Sequence, residues 1–206
     1  MIKVKICGIT NTEDALSAQE AGVDFIGFVF ADSPRKISPE KANEIIKIIS
    51  SDIKVVALFV NKEKEAVESV LNKLSRVDAL QFHGDETAQY CEYFKYKEVI
   101  KAFRIKNEGS IGRIKDFDSI NYVMLDTYKE GAYGGTGHTF NWDIALKAKV
   151  LGKPLFLSGG LTPENVKEAV KKTAPYAVDV SSGVEKAPGK KDPKRIKEFI
   201  EKAKTV

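Results

Sequence analysis

The sequence is poor in the residues that build disulfide frameworks and metal centres. Its 206 residues include two cysteines and two histidines. Cys7 and Cys91 lie far apart and form no C-x-x-C pair, so no disulfide framework is expected and a reducing cytoplasm fits. His83 and His138 show no ligand spacing, and the carboxylates do not cluster as hard-cation ligands would, so no metal is expected. Long apolar runs are missing too. Stretches such as Val55-Val56-Ala57-Leu58-Phe59-Val60 fall far short of the roughly 20 residues that cross a bilayer, and no membrane partner is expected. The amino terminus enters a strand-like pattern directly, without the apolar segment of a signal peptide, which again points to the cytoplasm. No large excess of one charge exists: the net charge of +4 suits a small anionic ligand and does not call for nucleic acid. No linker, low-complexity tract or composition break divides the chain, so residues 1–206 are read as a single domain.

What the sequence does contain is alternation. Short runs rich in Val, Ile and Phe alternate with amphipathic helical stretches, the pattern of repeated βαβ units around a parallel sheet. Strands are predicted at Lys3–Cys7, Phe25–Phe30, Val55–Val60, Ala79–His83, Val99–Phe103, Tyr122–Asp126, Leu155–Ser158 and Ala177–Ser181. Eight units at this spacing predict a closed (β/α)8 TIM barrel. An open doubly wound sheet would carry a G-x-G-x-x-G turn after the first strand, which Cys7-Gly8-Ile9-Thr10 does not supply. Helix starts are read at Thr10 or Asn11, at Ser38-Pro39-Glu40, at Thr162-Pro163-Glu164 and at Asp192-Pro193, each a cap followed by proline or acid. In the fifth unit, Gly109 and Gly112 fall where a helix would begin, so that helix is expected to be short or absent.

Strand geometry turns spacing into location. Side chains alternate between barrel interior and helix layer, and barrel active sites lie at the carboxyl ends of the strands. Val4 and Ile6 are then expected to face the helices, while Lys3, Lys5 and Cys7 point inward. By the same rule Met124 and Asp126 face inward from strand six, Gln81 and His83 from strand four, and Asp179 and Ser181 from strand eight. Each has an ordinary structural use: Cys7 as a small core residue, Asp126 as the start of a turn, His83 as a helix cap. Their joint placement at strand ends points to chemistry instead. Ser158-Gly159-Gly160-Leu161 and Ser181-Ser182-Gly183-Val184 follow strands seven and eight, where barrels bind phosphate through backbone N–H groups and a short helix amino terminus.

These residues also carry a resemblance. Val4-Lys5-Ile6-Cys7-Gly8-Ile9-Thr10, Ser33-Pro34-Arg35-Lys36-Ile37-Ser38, Leu80-Gln81-Phe82-His83-Gly84, Leu125-Asp126-Thr127 with Gly134-Gly135-Thr136-Gly137, and Leu157-Ser158-Gly159-Gly160-Leu161 resemble, in order and spacing, the phosphoribosylanthranilate isomerase family. Val178–Glu185 and Pro188–Asp192 extend the likeness along essentially the whole chain. The resemblance implies an aldose–ketose isomerisation in tryptophan biosynthesis, from N-(5-phosphoribosyl)anthranilate to 1-(2-carboxyphenylamino)-1-deoxyribulose 5-phosphate, with no cofactor. It implies Asp126 as the acid that opens the furanose ring and Cys7 as the base that removes the C2 proton. A thiol in that role is expected to have a lowered pKa. Arg35 is expected to meet the anthranilate carboxylate. Gln81, His83 and Asp179 are expected as further polar contacts, and Gly159, Gly160, Ser181, Ser182 and Gly183 as the phosphate cradle. The expected partner is this small phosphorylated substrate, in a monomer or homodimer. The histidine-pathway isomerase would be expected to carry aspartate where Cys7 stands, and indoleglycerol phosphate synthase works with a lysine and glutamates. A catalytically silent ligand-binding barrel would have no use for both Cys7 and Asp126.

Overall fold

The computed structural model describes residues 1–127, 141–149 and 152–206. Eight parallel strands close into a barrel: β1 (Lys3–Cys7), β2 (Phe25–Val29), β3 (Lys54–Phe59), β4 (Ala79–Phe82), β5 (Glu98–Ile105), β6 (Tyr122–Thr127), β7 (Leu155–Leu157) and β8 (Ala177–Val180). β1 pairs with β2 on one side and β8 on the other, which completes the ring. The helices among the described residues are α1 (Thr12–Glu20), α2 (Pro39–Ile48), α3 (Lys64–Leu71), α4 (Ala88–Tyr93), α5 (Asp143–Lys149), α6 (Val166–Thr173) and α7 (Pro193–Lys204).

The alternation along each strand sorts the core into layers. Val4, Ile6, Val55, Ala57, Phe59, Val123, Leu125, Val178 and Val180 point outward and join the helices in one apolar cluster. α7 shows the matching period, with Ile196, Phe199, Ile200 and Ala203 buried at helical spacing. Inside the barrel, Phe25, Val56, Ala79, Ile100, Met124, Phe156 and Ala177 form a separate cluster. The inward series turns polar toward the carboxyl ends, where Gln81, His83, Asp126, Ser158 and Asp179 are all buried.

Local chemistry fixes the ends of the elements. Asn11, Ser38, Thr87 and Asp192 cap helices by accepting backbone N–H groups of the first turn, and Pro39 and Pro193 supply a preset φ. A repeated clamp holds the other end of the barrel. Asp24, just before β2, accepts the Val4 N–H of β1 at 2.9 Å; Asp78, before β4, accepts that of Val55 at 2.7 Å; Asn121, before β6, accepts that of Val99 at 2.8 Å. Each returns its own N–H to the same residue's carbonyl. The second residues of β1, β3 and β5, whose amides lie near the barrel rim, are thereby paired.

The fifth unit lacks an α-helix, as Gly109 and Gly112 lead one to expect, and two other elements differ from the sequence expectation. The fifth unit forms a 3-10 helix, Glu108–Asp116, in place of an α-helix. Gly109 and Gly112 lower the helical preference there, and Ser110 Oγ accepts the N–H groups of Lys106 and Asn107. The seventh unit's helix starts later than Thr162-Pro163-Glu164, because Thr162 closes a turn with Asn165 and α6 begins at Val166. After β8 the chain makes a 3-10 turn, Ser182–Val184, and a small hairpin of β9 (Glu185–Ala187) and β10 (Lys190–Lys191) around Gly189, whose φ is +76°. Strands of three and two residues leave no periodic signal to read.

Candidate active site

One cavity of about 510 Å³ opens at the carboxyl ends of the strands. Cys7, Arg35, Gln81, His83, Asp126, Gly159, Gly160, Asp179, Ser181, Ser182 and Gly183, the residues singled out in the sequence, all line it. The run Gly134-Gly135-Thr136-Gly137 lies outside the described residues. Strand twist and closure bring these groups together from six different parts of the barrel wall, as the common direction of parallel strands requires.

Asp126 enters the cavity near the end of β6. Its Oδ1 accepts the Thr127 N–H at 2.8 Å, and its Oδ2 lies 2.8 Å from His83 Nε2. Behind the ring, Gln81 Nε2 lies 2.8 Å from His83 Nδ1. The imidazole therefore bridges the Gln81 amide and the Asp126 carboxyl group in one hydrogen-bonded row. Gln81 Oε1 is buried with no hydrogen-bond partner among the described residues, beside the histidine that the amide orients.

Cys7 faces the cavity from the end of β1, against Val29, Ala31 and Leu58. Burial pushes its thiol pKa up, and although Lys5 and Lys191 pull it back, Asp179 adds to the upward push and the net direction is upward. The lowered thiol pKa expected from sequence is therefore corrected: the positive charges exist, but a desolvated sulfur outweighs them.

Arg35 reaches the site from the loop after β2. Its Nε and Nη2 make two parallel hydrogen bonds to Glu185 Oε1 and Oε2, at 2.8 and 2.7 Å. Glu185 Oε1 also accepts from the fully buried Lys191 at 2.9 Å. Burial alone would raise the Glu185 carboxyl pKa; Arg35 and Lys191 together hold it below the ordinary value. Glu185 takes only one edge of the guanidinium, and the Nη1–Nη2 edge is geometrically separate from it. Glu185, Lys191 and Ser158, which donates to Asp179 Oδ2 at 2.9 Å, were given no role by the sequence reading. The signal for the first two was their place in the runs around Ser181–Glu185 and Pro188–Asp192.

The two glycine loops meet closely at the rim. Gly159 and Gly160 have φ of +88° and +66°, the left-handed region in which glycine is favoured. A Cβ on Gly159 would lie 2.3 Å from Thr127 Oγ1, and one on Gly183 would lie 1.9 Å from the Leu161 carbonyl oxygen. The loops after β7 and β8 are thus in backbone contact, and the Ser182–Val184 turn begins at their junction. Among the described residues, no group of three or more His, Cys, Asp or Glu side chains is arranged to hold a metal ion.

Polar groups buried at the carboxyl ends of a closed parallel barrel place the molecule among the (β/α)8-barrel enzymes. Comparison narrows the class. The profile of the N-(5'phosphoribosyl)anthranilate (PRA) isomerase family matches residues 4–202, and the chain belongs to that family. The N-(5'-phosphoribosyl)anthranilate isomerase of Geotalea uraniireducens (strain Rf4) is 52% identical over 205 residues, covering 99% of each chain. The crystal structure of phosphoribosyl anthranilate isomerase from Thermotoga maritima matches with a TM-score of 0.93 and 42% identity over 100% of both chains. A structure of the isomerase in complex with reduced 1-(o-carboxyphenylamino)-1-deoxyribulose 5-phosphate matches with a TM-score of 0.90 and 41% identity, again over 100% of both.

Proposed function

We propose that this chain converts N-(5'-phosphoribosyl)anthranilate to 1-(2-carboxyphenylamino)-1-deoxyribulose 5-phosphate, the isomerisation step of tryptophan biosynthesis. The observation that carries the reading is the convergence of Cys7 from β1 and Asp126 from β6 on one cavity that also holds Arg35 and both glycine loops. The reaction needs an acid, a base and two anion sites.

Asp126, as the neutral carboxylic acid, gives its proton to the furanose ring oxygen as the C1–O bond breaks and is left as the carboxylate, while a Schiff base forms between C1 and the anthranilate nitrogen. The Cys7 thiolate takes the C2 proton, the electron pair moves toward C1, and an enolamine forms. Its tautomerisation puts hydrogen on C1 and a ketone at C2. C1 is reduced as C2 is oxidised, so the rearrangement balances without a cofactor. The phosphate is received by backbone N–H groups of the loops containing Gly159, Gly160, Ser182 and Gly183. The anthranilate ring lies along the apolar wall of Val29, Leu58 and Val60, with its carboxylate on the free edge of the Arg35 fork. No helix of the described residues is long and apolar enough to cross a membrane, and we place the reaction in the cytoplasm, where the Cys7 thiol stays reduced.

Loss of anthranilate fluorescence on incubation with N-(5'-phosphoribosyl)anthranilate tests the activity. Cys7→Ala tests the assignment: turnover should all but vanish while the melting temperature changes little, because a small side chain replaces another. Near-wild-type kcat in the folded variant would remove Cys7 from the mechanism.

A further inference from the structure

Burial works against a Cys7 thiolate, and the reaction needs one. The charged groups that face the sulfur are Lys5 on the same strand, Asp179 on β8, Lys191 on β10 and Arg35 from the loop after β2. Lys191 and Arg35 are both committed to Glu185. Lys5 stands differently. Its side chain is wholly buried inside the barrel, with Nζ 2.8 Å from Asp179 Oδ1. The other oxygen of that carboxylate is occupied by Ser158 Oγ, so Asp179 is fixed in place.

Lys5 and Cys7 are two residues apart on β1 and point the same way. On the neighbouring strand Gly27 is in register with Cys7. A Cβ on Gly27 would lie 3.0 Å from Cys7 Sγ and also 3.0 Å from Lys5 Nζ. Gly27 does not have a positive φ, so the position needs glycine for space and not for backbone shape. The missing side chain leaves open the space that sulfur and nitrogen both border, so that no methyl group stands between them.

We propose that Lys5 is the positioning residue of the general base: its ammonium, anchored by Asp179 and seated over Gly27, hydrogen-bonds the Cys7 sulfur and holds it as the thiolate that accepts the C2 proton. The proposal rests on the reading of Cys7 as base. Lys5 keeps its own proton throughout and acts by charge and donation; the proton taken from C2 goes to sulfur. Burial opposes the Lys5 charge, yet Asp179 and Cys7 together keep its pKa above the ordinary lysine value, so it is a cation at every working pH. Of the charges that pull the Cys7 thiol down, Lys5 is the strongest.

The test is the pH dependence of Cys7 alkylation by iodoacetamide in the free enzyme, with the adduct located by peptide mass. Cys91 does not interfere, since its thiol is buried in the helix layer and pushed up to about 12. Lys5→Met should move the alkylation midpoint up by a unit or more, which is at least about tenfold less thiolate at a given pH below it. Asp179→Asn should move it down, because the carboxylate no longer competes for the ammonium. Gly27→Ala keeps every charge and should move it up by parting sulfur from nitrogen, which keeps the proposal testable if Lys5→Met does not fold. One limb of the kcat/KM profile should travel with the midpoint. A midpoint unmoved in folded Lys5→Met, or in Gly27→Ala where Lys5→Met fails to fold, would overturn the proposal. A midpoint that moves while the kcat/KM profile stays would leave the pairing intact and refute the base role of Cys7 instead.

Discussion

His83 Nε2 lies 2.8 Å from Asp126 Oδ2, and the ring is aimed there by Gln81 at its far nitrogen. The carboxylate is therefore held on both oxygens, by an imidazole on one and the Thr127 amide on the other. Its direction into the cavity is set before substrate arrives, as acid–base catalysis demands.

Asp126→Asn keeps the size of this side chain and most of its hydrogen-bonding shape but cannot exchange a proton. General acid–base groups contribute roughly 10²–10⁴-fold in rate, so kcat should fall by at least that order while KM changes little. The bell-shaped pH profile of the wild type should collapse to a single titration, because a bell needs two titrating groups. Full activity in the Asn variant would reduce Asp126 to a turn residue.

Arg35→Met keeps aliphatic length and loses the fork. Removing a charged hydrogen-bonding partner costs about 1.5–3 kcal/mol, so KM should rise roughly 10- to 150-fold with a smaller change in kcat. The variant also leaves Glu185 with Lys191 alone, and a substrate analogue lacking the ring carboxylate separates the two effects. Wild type and variant should handle that analogue alike. If the variant is equally poor with both compounds, Arg35 serves the Glu185 cluster and not the substrate.

Gly183→Ala should damage phosphate recognition with the acid and base untouched. The new methyl would sit 1.9 Å from the Leu161 carbonyl oxygen, so the loops after β7 and β8 must separate. A higher KM and a weaker competitive effect of inorganic phosphate are expected, and unchanged values for both would show that the two loops do not form the cradle.

Asp24→Asn should cost on the order of 1–3 kcal/mol at neutral pH, since Asp24 accepts from Lys3, Lys204 and the Val4 amide at once. Burial pushes its carboxyl upward, but those three donors win and hold the folded pKa below the reference of 3.8. A depressed carboxyl contributes stability that is complete above the unfolded value and is lost as pH falls through the folded one. The gap in melting temperature between wild type and variant should be full at pH 7 and shrink below about pH 4. A gap that persists undiminished into strong acid would assign the effect to packing.

Much of the architecture was legible because a barrel imposes strict periods. The alternation in Val4-Lys5-Ile6-Cys7 places residues on opposite faces of the wall, and once the strands are parallel their last inward residues must share one rim. What stayed hidden depends on partners distant in sequence or on solvation. Arg35 and Glu185 are 150 positions apart, and nothing local announces that the fork is already half occupied. The direction of the Cys7 pKa follows from burial, a property of the closed fold. Lys5 was legible as inward-facing, but its link to Asp179 was not. The small hairpin of β9 and β10 carries Glu185 and Lys191 to the cavity on elements too short to show a pattern.

The pairing of Lys5 with Asp179 spans 174 positions and joins β1 to β8, the seam at which the barrel closes. The clamps of Asp24, Asp78 and Asn121 instead join residues 20, 23 and 22 positions apart. Contacts of short sequence separation cost little chain entropy and form early, whereas the seam must wait for the whole ring. The ammonium beside Cys7 should therefore acquire its anchor in the final stage of folding. Refolding followed by thiol reactivity at constant pH should then show Cys7 taking on its native reactivity with the slowest phase, after the strand pairs have assembled.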